Sequence, residues 1–206
     1  DGTMARQSQG MKLAPVTLAD AHVRLVPFDA GAHAGPLRQM AEGAPEQFLL
    51  WSHRGPGDWI GRWLDNIAQR AVAGTMIPFA VLSPDGADYL GITSYLDPNA
   101  VNCGVEIGMT AYAPHAAGTA INPAAKRLLL AHAFGEGALR VQFQIDTRNK
   151  RSQAAVLKLG AKQEGVLRNH RVLQDGFVRD TAFFSILDSE WPDVKARLDA
   201  RLAAFG

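Results

Sequence analysis

A run of small residues in the middle of the chain has the composition of an anion-binding loop. Residues 113–120 read Ala-Pro-His-Ala-Ala-Gly-Thr-Ala and lie between a predicted strand and a predicted helix. The first amides of a helix have no partner within it and lie at the positive end of its dipole, so they bind anions without a charged side chain. Gly118 would let the backbone approach such a ligand; the alternative is a surface loop with a tight bend at this glycine.

Three polar residues, one in a predicted strand and two at the start of a predicted helix, have side chains suited to proton transfer or to positioning a ligand. Glu106 lies within a predicted strand, where an unpaired carboxylate is costly to bury, so we expect a cleft or a partner such as an arginine. Asn149 and Ser152 are three residues apart at the start of a predicted helix and therefore share a face. The Ser152 hydroxyl either faces a ligand or is satisfied by the helix backbone.

Composition and motif content exclude several other classes of function. The chain has 206 residues, 47% of them hydrophobic, and its 21 Lys+Arg nearly balance its 20 Asp+Glu. That balance argues against a protein that coats nucleic acid. The single cysteine, Cys103, excludes an intramolecular disulfide and a cysteine-rich zinc site. The loop is not a Walker loop or a dinucleotide fingerprint, because Gly-Lys-Ser/Thr and GxGxxG are both absent.

The two ends of the chain and its hydropathy predict one domain after a short leader. We expect residues 1–14 to form a disordered leader that includes a tag remnant, with Met4 or Met11 as the natural start, and residues 15–206 to form a single domain. The first residues lack the apolar centre of a secretory signal, and no apolar run approaches the ~20 residues that span a bilayer. We therefore expect a cytoplasmic protein with neither a membrane nor a nucleic acid as partner.

Hydrophobic periodicity predicts an alternating series of strands and helices. The predicted strands are 22–28, 76–82, 89–96, 101–112, 140–147, 163–173 and 177–187. The predicted helices are 29–42, 58–73, one that begins at Asn122 and Pro123, 149–159, and 189–205 with Ser189 as its cap. An antiparallel run, one strand–loop–helix–strand crossover and a closing hairpin indicate an α+β fold with a mixed sheet. Along strand 101–112, Val105, Ile107 and Met109 are expected on one face.

Four stretches, in order along the chain, resemble motifs of the GNAT (Gcn5-related N-acetyltransferase) superfamily. Between about Val23 and Trp191 the resemblance is to its RimJ/RimL-type branch, whose members acetylate N-terminal amines of ribosomal proteins. It implies a twisted, mostly antiparallel sheet of about seven strands, with a splayed central strand pair and flanking helices. The four stretches are Val105–Gly108, the pyrophosphate loop His115–Ala120, Asp146–Ser152 leading to Lys158–Ala161, and Gly165–Arg168 followed by Asp175-Gly176 and Arg179–Thr181.

The resemblance also implies a reaction, a cosubstrate and a set of site residues. Acetyl-CoA would donate its acetyl group directly to a primary amine, with no metal and no covalent acyl-enzyme. Glu106 would be the base, acting through water, and Ser152 would protonate the CoA thiolate. The residues expected to bind the cosubstrate are Met109, His115, Ala116, Ala117, Gly118, Thr119, Ala120, Asn149 and Arg151.

Basic and aromatic residues leave further alternatives. Lys126 and Arg127 either reach the 3′-phosphate of CoA or solvate a helix face, and the residues beside Asn149 are better placed for phosphate. Those residues are Arg148, Lys150 and Arg151. Three tryptophans, Trp51, Trp59 and Trp63, belong to the core or line the acceptor groove. Around that groove, the acidic residues 42, 46, 58 and 65 are offset by the arginines 38, 54, 62 and 70.

The function of such a chain stays open in three respects at this stage. The acceptor is either a protein or peptide N-terminal amine or a small amine. His115 stands where the family has Gln or Arg, which keeps a non-catalytic CoA-binding or regulatory module as the alternative. An anion-binding protein unrelated to the family would not bind acetyl-CoA at all. The last helix and the closing hairpin offer apolar surface for a homodimer.

Overall fold

The chain folds into eight strands and five α-helices in residues 10–205, the part described by the structure, a computed structural model. The strands are β1 (Leu18–Ala19), β2 (Arg24–Pro27), β3 (Met76–Leu82), β4 (Tyr89–Asn99), β5 (Gly104–Tyr112), β6 (Arg140–Asp146), β7 (Lys162–Val172) and β8 (Val178–Leu187). The helices are α1 (Ala30–Gly43), α2 (Trp59–Val72), α3 (Ile121–Gly135), α4 (Lys150–Leu159) and α5 (Trp191–Ala203). Short 3-10 turns occupy Pro45–Phe48 and Pro114–Ala116.

All eight strands form one sheet in the order β1-β2-β3-β4-β5-β6-β8-β7. Every neighbouring pair is antiparallel except β5 and β6, which are joined by the crossover through α3. The predicted α+β fold with a mostly antiparallel sheet is therefore confirmed. The strand beyond the expected seven is β1, only two residues long, which pairs with β2 and carries too little hydrophobic pattern to be recognised.

The central strands β5 and β6 pair only at their beginnings. Their register runs from Gly104↔Arg140 to Glu106↔Gln142, although both strands continue beyond those residues. On the other side of β5, the register with β4 shifts between Ile92 and Ser94, and Met109 has φ 49°. This irregularity reverses the alternation of side chains beyond Ile107. Met109 therefore packs on the opposite face from Val105 and Ile107, and the expectation that all three share a face is wrong.

Each face of the sheet packs against its own set of helices. Tyr95, Val105 and Phe184 belong to a core that also includes buried residues of α3, α4 and α5. The opposite face carries Ile92 and Leu96 and packs against α1, α2 and the turn at Pro45–Phe48. A strand that is buried on both sides needs apolar residues at successive positions, which is what β3 contains.

Met11 lies in the first of these cores, although it falls within the expected leader. Its side chain is 4% exposed, and the Lys12 amide donates to the Glu136 carbonyl. The folded chain thus begins before residue 15. Residues 1–9 of the expected leader lie outside the described residues.

Two helix starts differ from the sequence expectation. Helix α3 begins at Ile121, with Ala120 at the N-cap and no capping side chain, so Asn122 lies inside the helix. Pro123 is tolerated there because the amides of the first turn have no partner within the helix. Helix α5 begins at Trp191 with Glu190 at the N-cap and no capping side chain, so Ser189 lies in the turn before the helix, where its amide donates to the Asp188 carboxylate.

The end of α4 agrees with the prediction that Gly160 caps it, and this makes a stability prediction possible. Gly160 has φ 106°, and a Cβ there would lie 2.7 Å from the Arg197 guanidinium. We expect Gly160→Ala to lower the free energy of unfolding by about 1 kcal/mol or more, because of backbone strain and this contact. Gly135→Ala, in α3 with open space around it, is the matched control and should be neutral or stabilising. Equal effects in urea unfolding would contradict the assignment.

Candidate functional site

The loop before α3 presents free backbone amides. The Thr119 hydroxyl donates to the Ala116 carbonyl at 2.7 Å and accepts from the Ile121 amide at 3.3 Å. Within residues 10–205, the amides of Gly118, Ala120 and Asn122 have no acceptor. Gly118 has φ 78° with nothing within 4 Å of an added Cβ, so a ligand has room to approach. These features suit an anion such as a phosphate.

The side chains of the loop are arranged to keep that space open. Ala116 and Ala120 are buried and hold the loop against the core, whereas Ala117 is exposed. His115 is also exposed, and its side chain makes no hydrogen bond, ion pair or ring contact within the described residues. The loop therefore offers backbone groups rather than charged side chains to a ligand.

The start of α4 lies just beyond β6, beside the gap between β5 and β6. The Asn149 side-chain oxygen caps the helix by accepting from the Ser152 amide at 3.0 Å. The side-chain amide nitrogen of Asn149 and the hydroxyl of Ser152 then have no partner within the described part of the chain. Because the cap comes from Asn149, the Ser152 hydroxyl is not used by the backbone and remains available. Arg151 is exposed at the same helix start.

Arg148 is not free to bind a phosphate, contrary to the sequence expectation. Its guanidinium makes two hydrogen bonds to the Asp146 carboxylate, at 3.0 and 2.7 Å. The same group stacks 3.6 Å above the centre of the Phe177 ring. Lys150 and Arg151 are also exposed, and within residues 10–205 their side chains make no hydrogen bond or ion pair.

Glu106 lies on the other face of the sheet, at the point where β5 and β6 stop pairing. It is 6% exposed and accepts no hydrogen bond from the residues described. Burial raises the pKa of Glu106 to about 7, although nearby Arg171 and Arg179 act to lower it. A Cβ at Gly108 would lie 3.0 Å from the Glu106 carboxylate, so this glycine leaves room for the side chain.

An aromatic cluster from α2 and the segment before it packs on the face of the sheet that carries Glu106. Trp63 is fully buried and packs against Phe48 and Trp51, with ring centres 5.8 and 4.9 Å apart. Trp63 is thus a core residue, whereas Trp51 and Trp59 are only partly buried. The segment between Trp51 and α2 reaches the β7–β8 hairpin, where a Cβ on Gly55 would lie 3.0 Å from the Gln174 Cβ.

Two arginines of the β7–β8 hairpin lie near Glu106, and sequence reasoning did not identify them. Arg171 and Arg179 are directly opposite one another in the β7–β8 register. The signal was present, because residues equidistant from the predicted turn at Asp175 pair across a hairpin. The charges expected around the acceptor groove were those of residues 38–70, and both hairpin arginines lie outside that range.

Lys126 occupies an unexpected position inside the protein. It is 5% exposed, and its ammonium donates to the hydroxyls of Thr93 and Thr110 at 3.1 and 2.7 Å. The expectations that it reaches a phosphate or solvates a helix face are therefore both wrong. Burial lowers the pKa of Lys126 to about 7, since both partners are neutral. Its neighbour Arg127 pairs instead with Asp199 of α5, at 2.7 Å.

Cys103 and the remaining surface add no further site. Cys103 is a buried residue at the start of β5, 2% exposed, with its sulfur 3.5 Å from the Ala100 carbonyl. Residues 10–205 contain no group of three or more His, Cys, Asp or Glu side chains placed to hold a metal ion. Among these residues, no helix is both long and apolar enough to cross a membrane.

The buried lysine makes stability depend on pH in a predictable direction. Between pH 7 and 10 the unfolded chain holds the Lys126 proton and the folded chain does not, so the free energy of unfolding rises with pH. Relative to Lys126→Met, the parent protein should gain up to about 1.4 kcal/mol per pH unit in this range. Urea unfolding at several pH values measures the difference. Lys158→Met, an exposed position on α4, should keep the parent's pH dependence. Parallel curves for the parent and Lys126→Met would show that the buried amine stays charged.

Comparisons with known proteins agree with this geometry. The model of the acetyltransferase (GNAT) domain matches residues 22–162. A protein from T. thermophilus assigned as an acetyltransferase is 35% identical, with 93% of this chain and 100% of that chain covered and a TM-score of 0.81. A GCN5-related N-acetyltransferase from Brucella melitensis is 27% identical, with 96% and 90% covered and a TM-score of 0.86. No match was found among the curated proteins.

One further solved structure shares the fold at lower identity. Mycobacterium smegmatis RimJ, solved in complex with CoA-disulfide, is 22% identical, with 91% of this chain and 93% of that chain covered and a TM-score of 0.75. The family match covers well over half of the chain, and the higher-identity structures cover nearly all of it. The chain therefore belongs to the GNAT family of acetyltransferases, which transfer an acetyl group from acetyl-CoA.

Proposed function

We propose that this protein transfers the acetyl group of acetyl-CoA directly to the nitrogen of a primary amine. The observation that carries the proposal is the gap between β5 and β6, which ends their pairing at Glu106↔Gln142. Free loop amides and the start of α4 lie beside this gap, and a buried carboxylate faces it from the other side of the sheet. A cosubstrate in the gap would thus have its phosphates on one side and its acetyl group beside Glu106.

The residues proposed to bind acetyl-CoA are mostly backbone groups. The amides of residues 115–120 and the α3 dipole would hold the pyrophosphate, with His115 beside them. The amide at Met109, where β5 bulges against β4, would orient the thioester carbonyl. The free amide nitrogen of Asn149 would bind the pantetheine arm, and Arg151 would meet a phosphate.

Acid–base chemistry is assigned to Glu106 and Ser152. Bound acetyl-CoA supplies the activated acetyl thioester. Glu106 accepts a proton from the amine through a water molecule, which its raised pKa of about 7 suits at neutral pH. The Ser152 hydroxyl, which the helix backbone leaves free, gives a proton to the departing thiolate.

The acceptor is proposed to be either a protein or peptide N-terminal amine, as the RimJ and ribosomal-protein acetyltransferase names of structural neighbours suggest, or a small amine. These neighbours are under 25% identical and support the fold alone.

We also propose a cytoplasmic homodimer, formed through exposed apolar residues of the hairpin. They are Val166, Leu167, Val172 and Val178. A monomer in light scattering would contradict that assembly.

Binding of the cosubstrate is the first test of the proposal. We expect acetyl-CoA and CoA to raise the melting temperature, and ATP at the same concentration to raise it less. Release of free thiol over a panel of peptides and small amines then measures turnover. Stabilisation without turnover for any amine would favour the non-catalytic CoA-binding module. If CoA species do not stabilise the protein, the proposed function is wrong.

The catalytic assignments predict specific losses of rate. Glu106→Gln and Ser152→Ala should each lower kcat at least tenfold, while the Kd for CoA changes less than threefold. As the amine itself loses its proton at higher pH, kcat/KM rises for the parent and the variants alike. The parent should show an additional rise centred near pH 7, since a protonated carboxyl cannot accept the amine's proton. Glu106→Gln should remove this rise.

Matched variants control for the substitutions themselves. Glu136→Gln and Ser189→Ala change exposed residues of the same types away from the gap, and both should leave kcat and its pH dependence unchanged. If Glu106→Gln and Ser152→Ala also behave like the parent, the two roles are assigned to the wrong residues.

A further inference from the structure

Arg171 and Arg179 form a pair of like charges on the same face of the sheet as Glu106. Glu106 pairs with Gln142 of β6, which pairs with Ser185 of β8. Partners across a strand pair share a face, and every second residue along β8 returns to it. Arg179 therefore lies on the Glu106 face, and its partner Arg171 does too.

Two cations directly opposite each other in a hairpin destabilise it unless an anion lies between them. Arg179 is 9% exposed, and its Nε is buried without a hydrogen-bond partner within residues 10–205. Arg171 makes one side-chain hydrogen bond, to the neutral amide oxygen of Gln144 at 3.1 Å. A buried guanidinium with an unused donor is costly, so this arrangement indicates an anionic ligand.

The carboxylates around the pair do not supply that anion. Asp146 and Glu106 lie close enough to Arg179 to stabilise its charge, but the Asp146 carboxylate accepts two hydrogen bonds from the Arg148 guanidinium and Glu106 accepts none from either arginine of the pair. Farther out in the groove, two further carboxylates are also paired with arginines. These pairs are Asp97 with Arg70 at 2.8 Å and Asp58 with Arg38 at 3.0 Å.

The phosphates of CoA are not candidates either. The loop amides that suit a pyrophosphate precede α3, which packs on the opposite face of the sheet. An anion between Arg171 and Arg179 would lie on the Glu106 face, where the amine must deliver its nitrogen. The anion and the amine therefore belong to one molecule, the acceptor.

We infer that the acceptor is a free amino carboxylic acid, whose carboxylate binds Arg171 and Arg179 while its amine faces Glu106. This rests on the proposed function and narrows it to one substrate class. In the reaction the amine nitrogen forms a bond to the acetyl carbonyl carbon and the thioester C–S bond breaks. The amine loses a proton to Glu106 through water, and the CoA sulfur gains one from Ser152. Solvent then takes the proton from Glu106 and returns one to Ser152, so the products are an N-acetyl amino acid and free CoA.

The inference predicts a sharp preference that an N-terminal acetyltransferase would not show. A peptide or an amino acid amide carries the same amine but no carboxylate, and would leave the guanidinium donors unpaired in the complex. We expect kcat/KM for the preferred amino acid to exceed that for its amide by about 100-fold or more.

The test compares amino acids with their amides and decarboxylated amines, by thiol release, in the parent and three variants. Arg171→Gln and Arg179→Gln should raise KM for the acid at least tenfold, leave KM for the amide unchanged, and lower kcat much less. Because Arg171 is exposed, its variant should fold even if the Arg179 variant does not. Arg24→Gln, on strand β2 away from the groove, should match the parent.

The outcomes separate this inference from the function on which it rests. Equal kcat/KM for acid and amide, or a preference that persists in Arg171→Gln, would overturn the inference. Turnover of peptides but of no free amino acid would also overturn it, while acetyl transfer to amines would stand. Absence of both CoA binding and turnover with any amine would overturn the two together.

Discussion

The early end of the pairing between β5 and β6 is the constraint on which the rest of the site depends. Two parallel strands that stay paired leave no space between them, whereas these separate after Glu106 and Gln142. Beyond Glu106, β5 has no register partner on β6, and it bulges against β4 at Met109. The gap that results connects the loop amides before α3 with the carboxylate on the opposite face, so one ligand can contact both.

Electrostatics differ between the two sides of that gap. On the loop side, the groups available to a ligand are neutral backbone amides, and within residues 10–205 the buried Lys126 ammonium donates only to the hydroxyls of Thr93 and Thr110. On the acceptor side, Glu106 is held in a partly neutral form by burial, although two arginines are near. The two arginines make the electrostatic potential at Glu106 more positive, but neither donates a hydrogen bond to its carboxylate. A base and an anion-binding pair can therefore coexist in one groove.

Much of the fold could be predicted from local sequence, because caps, turns and periodicity act within a few residues. Strand β3, the Gly160 cap and the hairpin turn at Asp175 are examples. The loop was recognised in a different way, by its resemblance to a family motif. The features that could not be predicted depend on contacts between residues that are far apart in the sequence. The bulge at Met109 depends on the register with β4, and the burial of Lys126 depends on where α3 meets the sheet. The pair Arg171 and Arg179 depends on which face the hairpin presents to Glu106.

A crystal structure of the complex with CoA tests the central claim most directly, since the claim is that one gap joins the loop to the carboxylate. We expect the diphosphate within hydrogen-bonding distance of the Gly118 and Ala120 amides. The pantetheine arm should lie between β5 and β6, and the sulfur should lie beside Glu106 and Ser152. A complex in which CoA binds outside this gap, or in which the sulfur lies away from Glu106, would contradict the account.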